Sequence, residues 1–411
     1  MKPDKFVLKL RDFSSLWLLD RHDILFILLC LVFATIPVAP APKSIAMVLL
    51  LVFWFFSGLF WTERSRWLQR DWLLPVLLMF CLPWAGLLWS ADITTGLEDA
   101  KRSVYWLYGL VAATVSYRRY HPKIFVFVFL AGLLINVAVS ILQYVKCIPM
   151  YKGVGYGLLN HITYALLLVA GLLFLAYLYR EYASIAARFL ICLGMLLLVW
   201  NLSIGVSRAG YLAFIAAVPW MTAVMFTRRQ IVLIAICCVL AITVLASSPV
   251  VQNRLVEIRS DIVQYQQGHG MTSIGLRFHM WKGAVEIWKE NPVLGVGTGG
   301  YRRALTDVAV DPKYAIYSHP HNSLLYLAVS YGIVGVGIFV WLMYLVMRRG
   351  WRARTTFEGR VILVSLFVIG IGSLTDTQIM GHATGLLLGL VSGLPAGGDE
   401  QQHRKSSLCS S

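Results

Sequence analysis

The sequence predicts an all-α polytopic membrane protein, with about 12 transmembrane helices and one large, partly helical loop on the face opposite both termini. Of the 411 residues, 58% are hydrophobic and only 14% charged, and the mean hydropathy is positive, which lies outside the range of soluble globular domains. Apolar runs close to the roughly 20 residues that a helix needs to cross the hydrocarbon core recur along the chain. Lys and Arg divide unequally between the connections that alternate with those runs.

Residues 1–23 form a cytoplasmic N-terminal segment, in which the stretch 6–19 mixes apolar residues with Lys9, Arg11 and Asp12, as in a helix lying in the membrane interface. Nine spans are expected within 24–248, near 24–40, 44–61, 72–89, 103–117, 124–145, 158–179, 189–203, 209–227 and 231–246. Residues 249–321 make the large loop. Three further spans fall within 322–394, near 322–347, 361–374 and 379–394, and 395–411 form a polar cytoplasmic tail. The basic start before an apolar run imitates a signal peptide, down to Ala39-Pro40-Ala41. Pro42 follows at once and more spans come after, so the first helix is read as uncleaved. Six of the 7 Cys lie in or beside spans, with neither a disulfide framework nor a zinc spacing.

A net charge of +16 could signal nucleic acid, but its distribution excludes that reading. Of the 36 Lys and Arg, 22 fall on the connections that share a side with the N-terminus, 6 on the alternate short connections and 8 in the stretch 249–320. This is the positive-inside pattern, which places both termini in the cytoplasm and the loop outside. A transporter is disfavoured as well. Apart from His161, Asp376 and His382, the membrane stretches lack the carboxylates and imidazoles with which ion-coupled carriers do their work.

Chemistry is therefore sought in the loop, whose length far exceeds that of an ordinary connection. Helical spacing runs through 251–267 and 276–290 and is broken by Asn291-Pro292. "GVGTGG", with Gly295, Gly297, Gly299 and Gly300, lacks the strand and helix of a dinucleotide site. It reads as a flexible turn, with a backbone nest for phosphate as the functional alternative. His319 and His321 could begin a metal site, yet no carboxylate or third His lies close in sequence. Arg208, between the seventh and eighth spans, either snorkels to headgroups or serves a site. Arg277 opens a helix whose Trp281 and Trp288 suggest a face laid against membrane, lipid or sugar.

"SRAG" at 207–210, "RFHMW" at 277–281, "NPVLGVGTGGY" at 291–301 and "HPHNSLLYLAVSYGIVG" at 319–335 together resemble the O-antigen ligase family. Its superfamily also contains O-antigen polymerases and some bacterial oligosaccharyltransferases. The resemblance covers roughly 201–337, and its most specific part is His321-Asn322 followed by Gly332-x-x-Gly335.

The resemblance implies a fold like that of GT-C type glycosyltransferases in the bacterial inner membrane, with the active site on the periplasmic face. It implies an undecaprenyl-diphosphate-linked polysaccharide as donor and the lipid A-core as acceptor, with membrane lipids as surroundings and no nucleic acid partner. Arg208, Arg277 and His321 stand at the family's essential Arg, Arg and His. On this reading the two guanidinium groups stabilise the leaving diphosphate, and His321 takes the proton of the acceptor hydroxyl. Asn322 orients it, and His319, Tyr301, Arg302, Arg303 and Trp281 line the substrate region. No cofactor and no metal are expected, and direct displacement inverts the anomeric centre. A polymerase or a protein O-oligosaccharyltransferase of the same superfamily is the alternative, and a lipid-linked sugar transporter a more distant one.

Overall fold

The computed structural model describes residues 19–115, 122–149, 157–225, 236, 239–240, 242–243, 245–267, 271–308 and 317–395. The expected interfacial stretch 6–19 lies outside the described residues except for its last position, as does most of the expected span 231–246. The tail beyond 395 also lies outside them.

Every element among the described residues is helical. In chain order the principal helices are α1 Arg21–Thr35, α2 Pro40–Phe56, α3 Leu73–Ala85, α4 Ile93–Arg102, α5 Tyr108–Thr114, α6 Lys123–Tyr144, α7 His161–Glu181 and α8 Ile185–Ile204. They continue with α9 Arg208–Met225, α10 Pro249–Gln266, α11 Ser273–Glu290, α12 Tyr301–Val308, α13 Ser323–Arg352, α14 Phe357–Gly372 and α15 Thr384–Gly393. α6, α7, α8 and α13 are long and apolar enough to cross a membrane. Shorter apolar helices, α2, α3 with the turn that follows it, and α15, add to the bundle of a polytopic membrane protein.

Local sequence sets the helix starts. Asp20 and Asp23 make a reciprocal capping box at α1. Thr272 accepts from Gly275 N at α11, and Asn322 accepts from Leu324 N and Leu325 N at α13. With no hydrophobic force between helices in lipid, close approach matters. Gly389 and Gly393 of α15 lie so near the Tyr105 and Gly109 carbonyls that a Cβ at either position would clash. α7 is the hub, packed against α6, α8, α9 and α14.

The connections near residues 37, 86–102, 157–160, 203–208, 298, 319–322 and 374–382 gather at one end of the bundle. They are joined there by hydrogen bonds from Asn136 to Pro37 O, Leu158 N to Asn136, Ser90 to Thr298 O and Asn322 to Leu374 O. These are the segments that the charge pattern assigns to the side away from the termini.

α11 and α12 have their own small core of Met280, Ala284, Ile287, Tyr301 and Leu305, closed by Val329 of α13. α13 breaks at Gly332, where φ is +60°. Ile333 N and Val334 N bond to Pro292 O and Val293 O at 2.8 and 3.4 Å across this break, and a Cβ at Gly332 would sit 2.1 Å from Val293 O. The break therefore clamps the loop onto the bundle.

The "GVGTGG" stretch belongs to the same clamp, which corrects both sequence readings of it. Val296 N, Gly297 N and Thr298 N donate to Val329 O, Ser330 O and Gly86 O, so these amides are spent on protein carbonyls rather than offered to a phosphate. Thr298 is fully buried, with its hydroxyl on Pro83 O at 2.6 Å. The glycines serve close packing: a Cβ at Gly299, whose φ is +82°, would lie 2.3 Å from Gly96 N.

Candidate active site

His319-Pro320-His321-Asn322 enters α13 under restraint from both sides. Trp281 Nε1 of α11 donates to Pro320 O at 2.9 Å, and Asn322 Nδ2 donates to Leu374 O at 3.0 Å beyond α14. Between these anchors His321 adopts φ +50°, a left-handed conformation that costs a residue with a Cβ roughly 1–2 kcal/mol. Two tethers and a helix cap offset that cost, and the imidazole is fixed in direction. Asn322 acts as cap and tether rather than as a partner of the imidazole.

The partner is Asp376, in the turn after α14. Its Oδ1 lies 2.8 Å from His321 Nδ1, and its Oδ2 accepts from Gln378 Nε2 at 2.9 Å. Burial alone would raise the Asp376 pKa, but the hydrogen bond and charge of His321 outweigh it and hold the carboxyl below its ordinary range. An ionised carboxylate only accepts, so Nδ1 carries a ring proton, and in the neutral imidazole the lone pair is then on Nε2. That is the tautomer a general base requires.

His319 sits beside this pair, with ring centroids 4.5 Å apart and Nδ1 3.2 Å from Thr377 Oγ1. Burial, reinforced by His321, pushes its pKa down to about 4, so the ring is neutral at physiological pH. Tyr317 stacks edge-on to His321 at 5.0 Å.

Arg277, one turn into α11, donates through Nη1 to Ser273 O and Oγ, while its buried Nε has no partner. Burial lowers its pKa, against the attraction of Asp376 and with Arg208 close enough to add repulsion. Arg208, the first residue of α9, splits its fork between Asp261 Oδ2 and Glu257 Oε2 of α10, each at 3.1 Å. Arg254 shares Glu257. Two guanidinium groups and the His321–Asp376 pair thus occupy one end of the bundle, one Arg held by carboxylates and the other with a donor to spare.

The remaining expected residues are placed elsewhere. Tyr301 is buried in the α11–α12 core and its hydroxyl donates to Met280 O at 3.1 Å, a packing role. Arg302 and Arg303 are exposed on α12, and Arg302 acts electrostatically on Asp92. Trp281 is the tether already described.

His319, His321 and Asp376 bring ligand atoms within 4.8 Å of one another, so a carboxylate joins the His pair although none lies close to it in sequence. The carboxylate arrives through space, across a separation of 55 residues. Within the group His321 Nδ1 donates to Asp376 Oδ1, His319 Nδ1 pairs with Thr377 Oγ1, and Asp376 Oδ2 accepts from Gln378.

Sequence reasoning missed the part played by Asp376, although its signal was present. It is an isolated carboxylate between two apolar stretches, and such residues at membrane depth mark function by default. Asp261 and Glu257 carried no comparable signal, because a charged residue on a helix is ordinarily a solvated one.

Residues 193–340 match the model of a family described as O-antigen ligase, a segment that contains Arg208, Arg277, His319 and His321 but ends before Asp376. The chain is also similar to an uncharacterized protein of Haemophilus influenzae, 29% identical over 118 residues. That similarity covers 27% of this chain and 30% of the relative, so the chain spans under a third of the relative's length.

Proposed function

From a chain whose residues 193–340 match the model of a family described as O-antigen ligase, we propose an inner-membrane glycosyltransferase that moves a polysaccharide from undecaprenyl diphosphate to a lipid A-core sugar. The observation that carries this is the grouping of Arg208, Arg277 and a carboxylate-oriented His321 at one end of an apolar bundle. In the proposed step His321 Nε2 takes the proton of the acceptor hydroxyl as its oxygen bonds to the anomeric carbon. The bond from that carbon to the diphosphate breaks, and the leaving group takes the electron pair. Attack opposite the leaving group inverts the centre. Arg277 and Arg208 meet the growing negative charge, where bidentate guanidinium donors are strongest.

The anionic oxygens of the donor replace Asp261 and Glu257 on Arg208, an exchange of one carboxylate-like partner for another. Asp376 stabilises the imidazolium formed at His321. The core acceptor, rather than a second carrier-linked chain, rests on the family resemblance, since a polymerase would need the same groups.

In the proposed orientation this end faces the periplasm and both termini lie in the cytoplasm. It rests on the distribution of Lys and Arg and on the gathering of the assigned connections at one end. A single Cys at position 264, on exposed α10, should be labelled by a membrane-impermeant reagent from the periplasmic side. Labelling only from the cytoplasmic side would reverse the topology.

The site is proposed to work without metal, its Arg cations meeting the diphosphate charge. Purified protein should retain full transfer in excess EDTA. Loss of activity restored by Mg²⁺ or Mn²⁺ would turn the His319–His321–Asp376 group into a metal centre and displace this mechanism.

A further inference from the structure

A small cavity lies where α6, α7 and α8 meet below the turn into α9, lined among others by Ser140, His161, Tyr164, Asn201, Gly205 and Val206. It has room for about one water-sized group. Asn201 is 1% exposed, and its Oδ1 accepts from the Tyr164 hydroxyl at 2.8 Å and from Ser140 Oγ at 3.2 Å. Those two bonds fix the amide plane. Asn201 Nδ2 is left buried and without a partner in the cavity wall, and so is His161 Nδ1. A buried polar group with no partner costs about 1–3 kcal/mol, so two in one cavity point to a ligand atom there.

The chemistry of that atom follows from the wall. Asn201 Nδ2 only donates, while His161 Nδ1 donates or accepts according to its tautomer. No Lys or Arg lines the space, and a charged oxygen would be buried unpaired. A neutral hydroxyl oxygen accepts from the amide, pairs with the imidazole in either tautomer and fits the volume.

The position narrows the source. Gly205 and Val206 lead within three residues to Arg208, and His161 is within electrostatic reach of Asp376, Arg277 and Arg254. A group that enters from a diphosphate held at Arg208 is part of the sugar bonded to it. We propose that Asn201 and His161 form a subsite for one hydroxyl of the donor sugar next to the diphosphate. This inference rests on the function proposed above.

The test uses the full-length protein in lipid nanodiscs, with carrier-linked donors whose first sugar carries all its hydroxyls or lacks one in turn. Asn201→Asp keeps the acceptor for Tyr164 and Ser140 and loses the donor, and His161→Phe acts from a different helix. Melting curves of both establish that they fold. Each variant should raise KM for the complete donor about 10-fold, the worth of one buried hydrogen bond, with kcat within about 2-fold. For one deoxy donor the wild type and the variants should have the same KM. An equal KM penalty on every donor would assign the cavity to a structural water and overturn the subsite. Unchanged KM in both variants, with a wild type that transfers normally, would overturn the subsite alone. A wild type that transfers no carrier-linked sugar would overturn the function and the subsite together.

Discussion

Replacing Arg277 with Ala should lower the transfer rate by at least ~10²-fold, the usual loss when a group that stabilises transition-state charge is removed. The size of the effect follows from where Arg277 sits. It is half-buried, its buried Nε is unpartnered, and its Nη1 donates to Ser273, its own helix neighbour. Asp376 and Asp261 act on its charge only through space, which leaves Nε for an arriving anion. Arg277→Lys should recover little, because an ammonium cannot offer the two parallel N–H groups that a phosphate oxygen pair accepts. Rates in a reconstituted assay with purified donor and acceptor check both variants. Transfer by Arg277→Lys within about 3-fold of wild type would reduce Arg277 to a point charge and remove the bidentate argument.

His321→Ala should cost at least ~10²-fold in kcat, as expected for a lost general base. Asp376→Asn should lower kcat about 10-fold or more while leaving KM for the donor within a few-fold, because the imidazolium loses its counter-charge. The contrast between the two constants is diagnostic. Asp376 Oδ2 also accepts from Gln378, and a collapse of the turn after α14 would raise KM and lower kcat together. Near-normal kcat in His321→Ala would take the imidazole out of the chemistry altogether.

The sequence made the bundle legible because burial in lipid leaves a long apolar run as its trace, and α6, α7, α8 and α13 lie where those runs are. The loop helices α10 and α11 were legible from spacing, and Asn291-Pro292 ended α11 as its side chains require. What the sequence hid was the pairing of distant segments. His321 meets Asp376 where Asn322 and Trp281 pin the segment before α13 between α14 and α11. The Gly-rich stretch illustrates the converse. Its composition suited either a flexible turn or an anion nest, but the carbonyls of Gly86, Val329 and Ser330, all remote in sequence, consume its amides. Tyr301 is a related case: a Tyr beside two exposed Arg residues reads as a substrate contact, and in the fold its hydroxyl donates to Met280 O.

The measurement that bears most directly on the central claim is the profile of lipopolysaccharide and carrier-linked glycan in cells that lack this protein. Both a ligase and a polymerase hold a diphosphate-linked donor and activate a sugar hydroxyl, so the arrangement of Arg208, Arg277 and His321 serves either. They differ in what accumulates when they are gone. A ligase function predicts long polymer retained on the undecaprenyl carrier and lipopolysaccharide with a bare core. Core bearing a single repeat unit would contradict it and make the protein a polymerase.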